Sequence, residues 1–369
     1  MIASAATLAM PWVARAAGDT IKIGLSSPVT GPAAESGRFQ VTGAKLAIAE
    51  VNEKGVLGRQ MELIIEDDQT TNPGAVLAFS RMSGNPDMVA FVASVRSTQV
   101  NAIAPDVLKV AKPVMIGGTD PTLTHKGNPW LFRTRPNDSY SARVIAEYGL
   151  KDLKKQKWAV VASTDAFGSA GKDQLVMALK AAGIEPVLVQ GYTNQQADFT
   201  PVALAIRSSG ADILGTYFTF ETDLGVFARQ LRQLGVTIPW VGSASITNIS
   251  ALNLAGRALF GTWGVADYAV DASAASKAYA AKYQAVTKVL PDNQSSYAYD
   301  AINILGKAIN TAGSTDPNKI REAILAIRGY QGAEGEYNFD ANGDGLHGYN
   351  VVRNENGKIV FERRVDFSA

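Results

Sequence analysis

Two short stretches carry the residue types best suited to holding an anion. Ser94-Val95-Arg96-Ser97-Thr98 follows the apolar run Met88–Ala93 and opens a helical pattern. Free peptide N–H groups, hydroxyls and the positive end of a helix dipole there suit a carboxylate. Ser97 or Thr98 is the expected N-cap. Gly117-Gly118-Thr119-Asp120-Pro121 ends the next apolar run. Its glycines let backbone approach a ligand, and Thr119 adds a hydroxyl. The same residue types also make ordinary caps and turns.

Other chemistries lack their residues. There are no cysteines, which removes disulfides, thiolate zinc sites, iron–sulfur clusters and cysteine nucleophiles. His125 and His347 are the only histidines, too few for a defensible Ser/His/Asp order. The loop after the first strand, Ser26-Ser27-Pro28-Val29-Thr30-Gly31, contains no G-x-G-x-x-G, and no G-x-x-x-x-G-K-[ST] occurs. Asp67-Asp68 fits a strand-end turn. Asp340-Ala341-Asn342-Gly343-Asp344-Gly345 resembles the start of a calcium loop, but Val351 stands where the closing Glu belongs, so a Gly-rich turn is expected. Neither an enzyme nor a cofactor or metal is expected.

The 35 Lys and Arg nearly cancel the 34 Asp and Glu, so no basic excess points to nucleic acid. With 369 residues, 46% of them hydrophobic, the chain can bury the cores of two or three domains. Ile2 to Val13 is apolar apart from Ser4 and Thr7, and Ala14-Arg15-Ala16 follows as a small-x-small cleavage pattern. Residues 1–17 therefore read as a partial signal peptide without the usual basic start, and the protein as exported to the periplasm; an apolar helix packed on the core is the alternative. The run is too short to span a bilayer.

From Ile21, strands and helices alternate, which indicates α/β architecture with parallel sheets covered on both faces. Strands are expected at Ile21–Leu25, Met61–Glu66, Met88–Ala93 and Val114–Ile116, with helices between them. Gly55 is placed to end the first helix in a left-handed conformation. The rhythm restarts at Trp158–Ala162 and continues through Glu185–Gln190, Ile213–Tyr217 and Pro239–Gly242, with helices at Gly171–Ala182, Thr200–Ser208 and Leu224–Leu234. The restart indicates two similar lobes joined near 133–138. Further helices follow Ser273, and Val351–Glu362 reads as a hairpin turning at Glu355-Asn356-Gly357.

Pro28-Val29-Thr30-Gly31-Pro32-Ala33-Ala34, Gly43-Ala44-Lys45-Leu46-Ala47, Val51–Arg59, Glu66-Asp67-Asp68 and Asn72-Pro73 together resemble the type I periplasmic binding proteins of the branched-chain amino acid transporter family. Phe132-Arg133 with Asp138, Asp165-Ala166-Phe167-Gly168 and Tyr299-Asp300-Ala301 agree. The resemblance implies two Rossmann-like lobes joined by three crossovers, near 138–141, 266–269 and 340–350. It divides the chain into 18–138 plus 269–342 and 139–268 plus 343–369.

The resemblance also implies that turns of the first lobe hold the α-carboxylate of an amino acid. That role falls on Ser97, Thr98, Gly118 and Thr119, with Gly117 lining the pocket. Arg96 stands where the family more often has a small hydroxyl residue; it can pair bidentately with a ligand carboxylate or form an ion pair within the protein. The second-lobe acid that meets a ligand ammonium falls on Ala244 and is missing, and the family's Tyr is Phe167. Phe218, Tyr192, Tyr217, Phe220 and Tyr297 can stack on a flat ligand or pack a core. Because an ammonium buried without a counter-charge is costly, the expected ligand is a small carboxylate with an aromatic or apolar body. A branched-chain or other hydrophobic amino acid is the alternative. The expected partner is the permease of an ABC importer, served by a monomer. A sensing module on the same fold is the remaining alternative.

Overall fold

The computed structural model describes residues 20–368. The export segment expected at 1–17 lies outside them. The first lobe begins with β1 (Ile21–Ser27), α1 (Ala34–Lys54), β2 (Met61–Asp67), α2 (Asn72–Ser83), β3 (Met88–Val92), α3 (Ser97–Val110), β4 (Val114–Ile116), α4 (Thr122–His125) and β5 (Leu131–Arg133). The second contains α5 (Asp138–Glu147), β6 (Trp158–Ser163), α6 (Ala166–Ala181), β7 (Leu188–Tyr192), α7 (Thr200–Ser208), β8 (Ile213–Tyr217), α8 (Glu221–Gln233), β9 (Trp240–Gly242), α9 (Ile249–Ala255) and β10 (Trp263–Ala266). The chain then returns with α10 (Ala274–Thr287), α11 (Asn293–Ala312), α12 (Pro317–Leu325), β11 (Tyr330–Gln331) and β12 (Glu336–Tyr337), before β13 (Gly348–Glu355) and β14 (Lys358–Asp366).

The first sheet has five strands in the order β2-β1-β3-β4-β5, all parallel. Its central strands β3 and β4 are apolar and buried along their whole length because helices cover both faces. Ile21, Ile23 and Leu25 face a core shared with Phe39 and Ala44 of α1 and with Tyr297, Ile304 and Leu305 of α11. Phe91, Val114 and Ile116 belong to a core shared with Phe79 of α2 and Val100 and Ile103 of α3. Gly24 is required in β1, since a Cβ there would lie 2.7 Å from Met82 Sδ and from the Phe91 ring.

The second sheet has seven strands in the order β14-β13-β10-β9-β8-β6-β7. The last hairpin joins it antiparallel, β13 pairing with β10. Its two-residue turn holds Asn356 at φ 54° and Gly357 at φ 94°, a geometry that Asn-Gly tolerates.

Several elements differ from the sequence reading. Helix α6 starts five residues earlier than expected, at Ala166, capped by the Asp165 carboxylate on Gly168 N–H (2.9 Å). Gly168 and Gly171 hide that start from a propensity reading, yet Gly171 is needed: a Cβ there would lie 2.2 Å from the Tyr217 ring. Strand β7 begins at Leu188 rather than Glu185, after Pro186, which has no N–H to donate. Helix α5 packs on the second core through Ala142, Val144 and Ile145. Residues 343–346 stay with the first lobe. Arg133 N–H donates to Gly343 O (2.8 Å), Gly345 N–H to Arg133 O (3.0 Å), and Leu346 lies in the first core. The last crossing therefore follows Leu346.

Candidate ligand-binding site

The strand tips of both sheets face one another across a narrow cleft. In open α/β sheets this is where ligands sit, outside the carboxyl ends of the strands. Arg135, Asp138 and Ser141 beside the first crossing and Tyr349 after the last contribute to its floor.

The first wall rests on a buried ion pair. Arg133, fully buried at the end of β5, donates from Nη1 to Gly118 O (2.9 Å) and Asp120 O (2.8 Å). Its Nε donates to Asp344 Oδ1 (2.9 Å), and Asp344 also accepts from Thr124 Oγ1 and Asn137 Nδ2. Burial opposes the Asp344 charge, but Arg133, His125, Asn137 and Thr124 hold the carboxyl well below its usual range. His125, Asp340 and Asp344 lie close together; Asp344 is engaged by Arg133, and Asp340 Oδ1 accepts from Asn342 N–H and Asp344 N–H. The Asp67 carboxylate likewise ties the β1 loop, accepting from Val29 N–H (3.0 Å) and Thr30 N–H (3.1 Å).

This bracing turns several expected site residues away from the cleft. The N-cap of α3 is Arg96 rather than Ser97 or Thr98. Ser97 is fully buried and its Oγ accepts from Asp120 N–H (3.1 Å), stapling one turn to the other. The carbonyls of Gly117 and Gly118 are taken by Arg135 and Arg133. Both glycines are required by packing: a Cβ on Gly117 would lie 2.9 Å from the Tyr297 ring, and one on Gly118 3.1 Å from Ser97 Cα. Thr98 faces an adjoining polar cavity instead.

Arg96, Thr119, Phe167, Phe218 and Ala244 do meet in the cleft. Arg96 is 7% exposed, its guanidinium lies over the Phe220 ring (5.4 Å), and its Nε and Nη1 have no hydrogen-bond partner. It makes no ion pair among the described residues. Asp68, nearby, is raised by burial, against the opposing influence of Thr70 N–H and Arg96. Thr119 Oγ1 donates to Asp138 Oδ2 (2.7 Å).

Asp138 and Ser141, at the start of α5, form part of the floor. Ser141 Oγ donates to Asp138 Oδ1 (3.0 Å). Burial pushes the Asp138 carboxyl up to about 7, against those hydroxyls and the charges of Arg135 and Arg133. Burial also works against the Arg135 charge, but its partner Asp267 holds it above the ordinary range.

The second wall presents uncharged side chains to the cleft, with Glu221 set behind Asn248. Phe167 meets Tyr217 edge to face (5.8 Å), and Phe218 stacks on Tyr192 (4.6 Å) within an aromatic core that includes Phe199 and Phe227. Ser243 Oγ and Ser245 Oγ share a hydrogen bond (3.0 Å), and Thr247 Oγ1 donates to Ala244 O (2.7 Å) within the 3-10 turn Ala244–Thr247. Asn248, four residues after Ala244, lines the cleft too. Its Nδ2 donates to Glu221 Oε1 (3.1 Å) and its Oδ1 is unpartnered. Asn293 and Gln294, in the first turn of α11, also present unpartnered buried amide oxygens.

The sequence reading missed Asp138, Ser141, Asn248, Asn293 and Gln294 as cleft residues. Asp138 and Ser141 had a signal in the family landmark at Asp138 and the crossing expected near 138–141; Asn248, Asn293 and Gln294 had none. Tyr297, Tyr192 and Tyr217 are fully or almost fully buried in the cores.

The sequence profile of the periplasmic binding protein family matches residues 20–358. A leucine-, isoleucine-, valine-, threonine- and alanine-binding protein of Pseudomonas aeruginosa is 28% identical over 338 residues, 89% of this chain and 88% of the relative. A Leu/Ile/Val-binding protein of Rhizobium johnstonii is 30% identical over 350 residues, 92% and 93% of the two chains. Among solved structures, a leucine binding protein from Thermotoga maritima superposes with a TM-score of 0.89 at 24% identity, covering 94% of this chain and 99% of the other. A type 1 periplasmic binding protein from Bordetella pertussis superposes with a TM-score of 0.84 at 26% identity, covering 94% and 100%.

Proposed function

The chain belongs to the periplasmic binding protein family, and we propose that it serves an ABC importer by capturing a small carboxylate between its two lobes. The family consists of binding proteins rather than enzymes. The observation that carries the reading is Arg96: a residue on the cleft wall whose buried guanidinium has two unpartnered nitrogens. A ligand carboxylate gains charge-assisted hydrogen bonds there without displacing an internal partner. Thr119 lines the same wall with its hydroxyl donated to Asp138, and Phe167, Phe218 and Ala244 receive the apolar body. Ser97, Gly117 and Gly118 act from behind the wall by shaping the two turns, and Thr98 faces the neighbouring cavity.

The first ligand class is a hydrophobic amino acid. The names of the two relatives from Pseudomonas aeruginosa and Rhizobium johnstonii support it, and Glu221 behind Asn248 supplies negative charge near the second wall. An aromatic or apolar acid without an ammonium is the second reading, favoured by the methyl side chain of Ala244 where the resemblance expects a carboxylate. Titration calorimetry with leucine and with benzoate separates the two. Heat from leucine alone selects the amino acid and heat from benzoate alone selects the acid. Binding of neither, with Arg96→Ala indistinguishable from wild type across a panel of carboxylates, rejects the carboxylate site.

Capture proceeds from the charged wall. A ligand held by the first lobe gains contacts to the second only on closure, so it shifts the population toward the closed form. The three crossings act as hinge. Both walls come from one chain, so a monomer suffices. The apolar run and Ala14-Arg15-Ala16 within 1–17, read as a partial signal peptide, support delivery to the periplasm, and the closed form is the one that meets the permease. Small-angle scattering should show a smaller radius of gyration with ligand; an unchanged radius speaks against closure.

A further inference from the structure

Asn248 stands out among the cleft residues because the orientation of its amide is fixed by its surroundings. Its Nδ2 donates to the Glu221 carboxylate (3.1 Å), so flipping the group would set two oxygens against each other. The remaining atom, Oδ1, is therefore an acceptor, and it is buried without a partner on a residue only 4% exposed. A buried acceptor left unpaired is costly, and such groups mark places where a partner arrives. Glu221 is held in turn: the same Oε1 accepts from Ser36 Oγ of the first lobe (2.7 Å). The acceptor is thus attached to a contact that crosses the cleft.

We infer that Asn248 is a specificity-determining residue that reads a hydrogen-bond donor on the ligand, an amine or hydroxyl, with Glu221 as its positioning residue. This rests on the carboxylate reading of the same cleft. The preferred substrates are then amino or hydroxy acids rather than acids carrying only hydrocarbon beyond the carboxylate. Glu221 places negative charge behind Asn248, so an ammonium gains more there than a hydroxyl. Ala244 offers only a methyl group beside this amide, and the Ser243 and Ser245 hydroxyls are engaged with each other. Because Glu221 also binds Ser36, donor recognition and lobe closure are joined through one carboxylate.

The test uses the full chain and matched probes: leucine, 2-hydroxy-4-methylpentanoate and 4-methylpentanoate, with 2-hydroxybenzoate and benzoate as the aromatic pair. Wild type is expected to prefer the donor-bearing member of a pair by about ten-fold, the scale of one buried hydrogen bond. Asn248→Leu, and Asn248→Ala should the leucine variant misfold, should cut that preference to roughly three-fold or less while leaving affinity for the donor-free acid nearly unchanged. Glu221→Gln should reduce the preference for leucine more than that for the hydroxy acid, at an unchanged Tm. A preference that survives both Asn248 variants, or a wild type that binds donor-free acids equally well, overturns the inference and leaves the carboxylate site standing. A wild type that binds no carboxylate, with Arg96→Ala indistinguishable from it, overturns both.

Discussion

The two walls of the cleft are built on opposite principles. The first is charged and braced from behind: Arg133 and Asp344 form a buried pair that holds the carbonyls of Gly118 and Asp120, and Arg96 stands unpaired in front. The second is neutral, its turn held by hydroxyls bonding to one another and to backbone. On the proposed capture of a carboxylate, the wall that holds the anion before closure needs donors fixed in advance, because ordering them during binding costs affinity. A wall that arrives later can be softer and can select by shape and by a single acceptor.

Breaking the brace should have the largest effect. Asp344→Ala strands the Arg133 charge and is expected to lower unfolding free energy by about 3–5 kcal/mol, read by urea denaturation. A loss below about 1 kcal/mol would mean the pair is not structural. Removing the unpaired cation comes next: Arg96→Ala should weaken carboxylate binding about a hundred-fold, the scale of a lost charge-assisted hydrogen-bond pair, with Arg96→Lys in between. The expected contrast is Ala244→Glu on the opposite wall. It should raise the affinity for leucine relative to 4-methylpentanoate by about ten-fold, and equal shifts for both would place Ala244 away from the ligand.

The floor titrates differently from the brace. The Asp138 carboxyl, raised to about 7 by burial, favours the fold when neutral. That contribution is complete below about 4 and is lost as pH rises through about 7. Asp138→Asn should therefore flatten the fall in Tm between pH 5 and pH 8; an unchanged slope would assign the fall to other carboxyls. Asp344, held low, has the opposite sign, its contribution present above about 4 and lost in acid. The smallest effect belongs to the neutral wall: Ser245→Ala should change stability by less than about 0.5 kcal/mol, and a larger loss would show that this turn is braced as firmly as the other.

Much of this organisation could be read along the chain, because its signals are local. Gly55 after the first long helix, Asn356-Gly357 in the last hairpin and the run from Pro28 to Asp68 were visible as turn, cap and family features. Arg96 and Thr119 could be read as cleft candidates because their residue types fit an anion at strand tips, and both line the cleft. Ser97 misled for a physical reason: a hydroxyl before a helix looks free to cap, but Asp120 N–H takes it in the fold. Gly117 and Gly118 looked like room for a ligand and serve instead to admit Tyr297 and α3.

The amino-acid sequence by itself determined the alternation of strands and helices, the absence of cysteine, nucleotide-loop and relay chemistry, and the strand tips where a site would form. Those features depend on neighbours a few residues apart. Tertiary structure decided which polar atoms remain unpaired, because their competitors come from far along the chain: Arg133 is satisfied by Asp344, 211 residues away, and Glu221 by Ser36, 185 residues away. A side chain is available to a ligand only when no distant partner has taken it, and that is settled when the lobes pack.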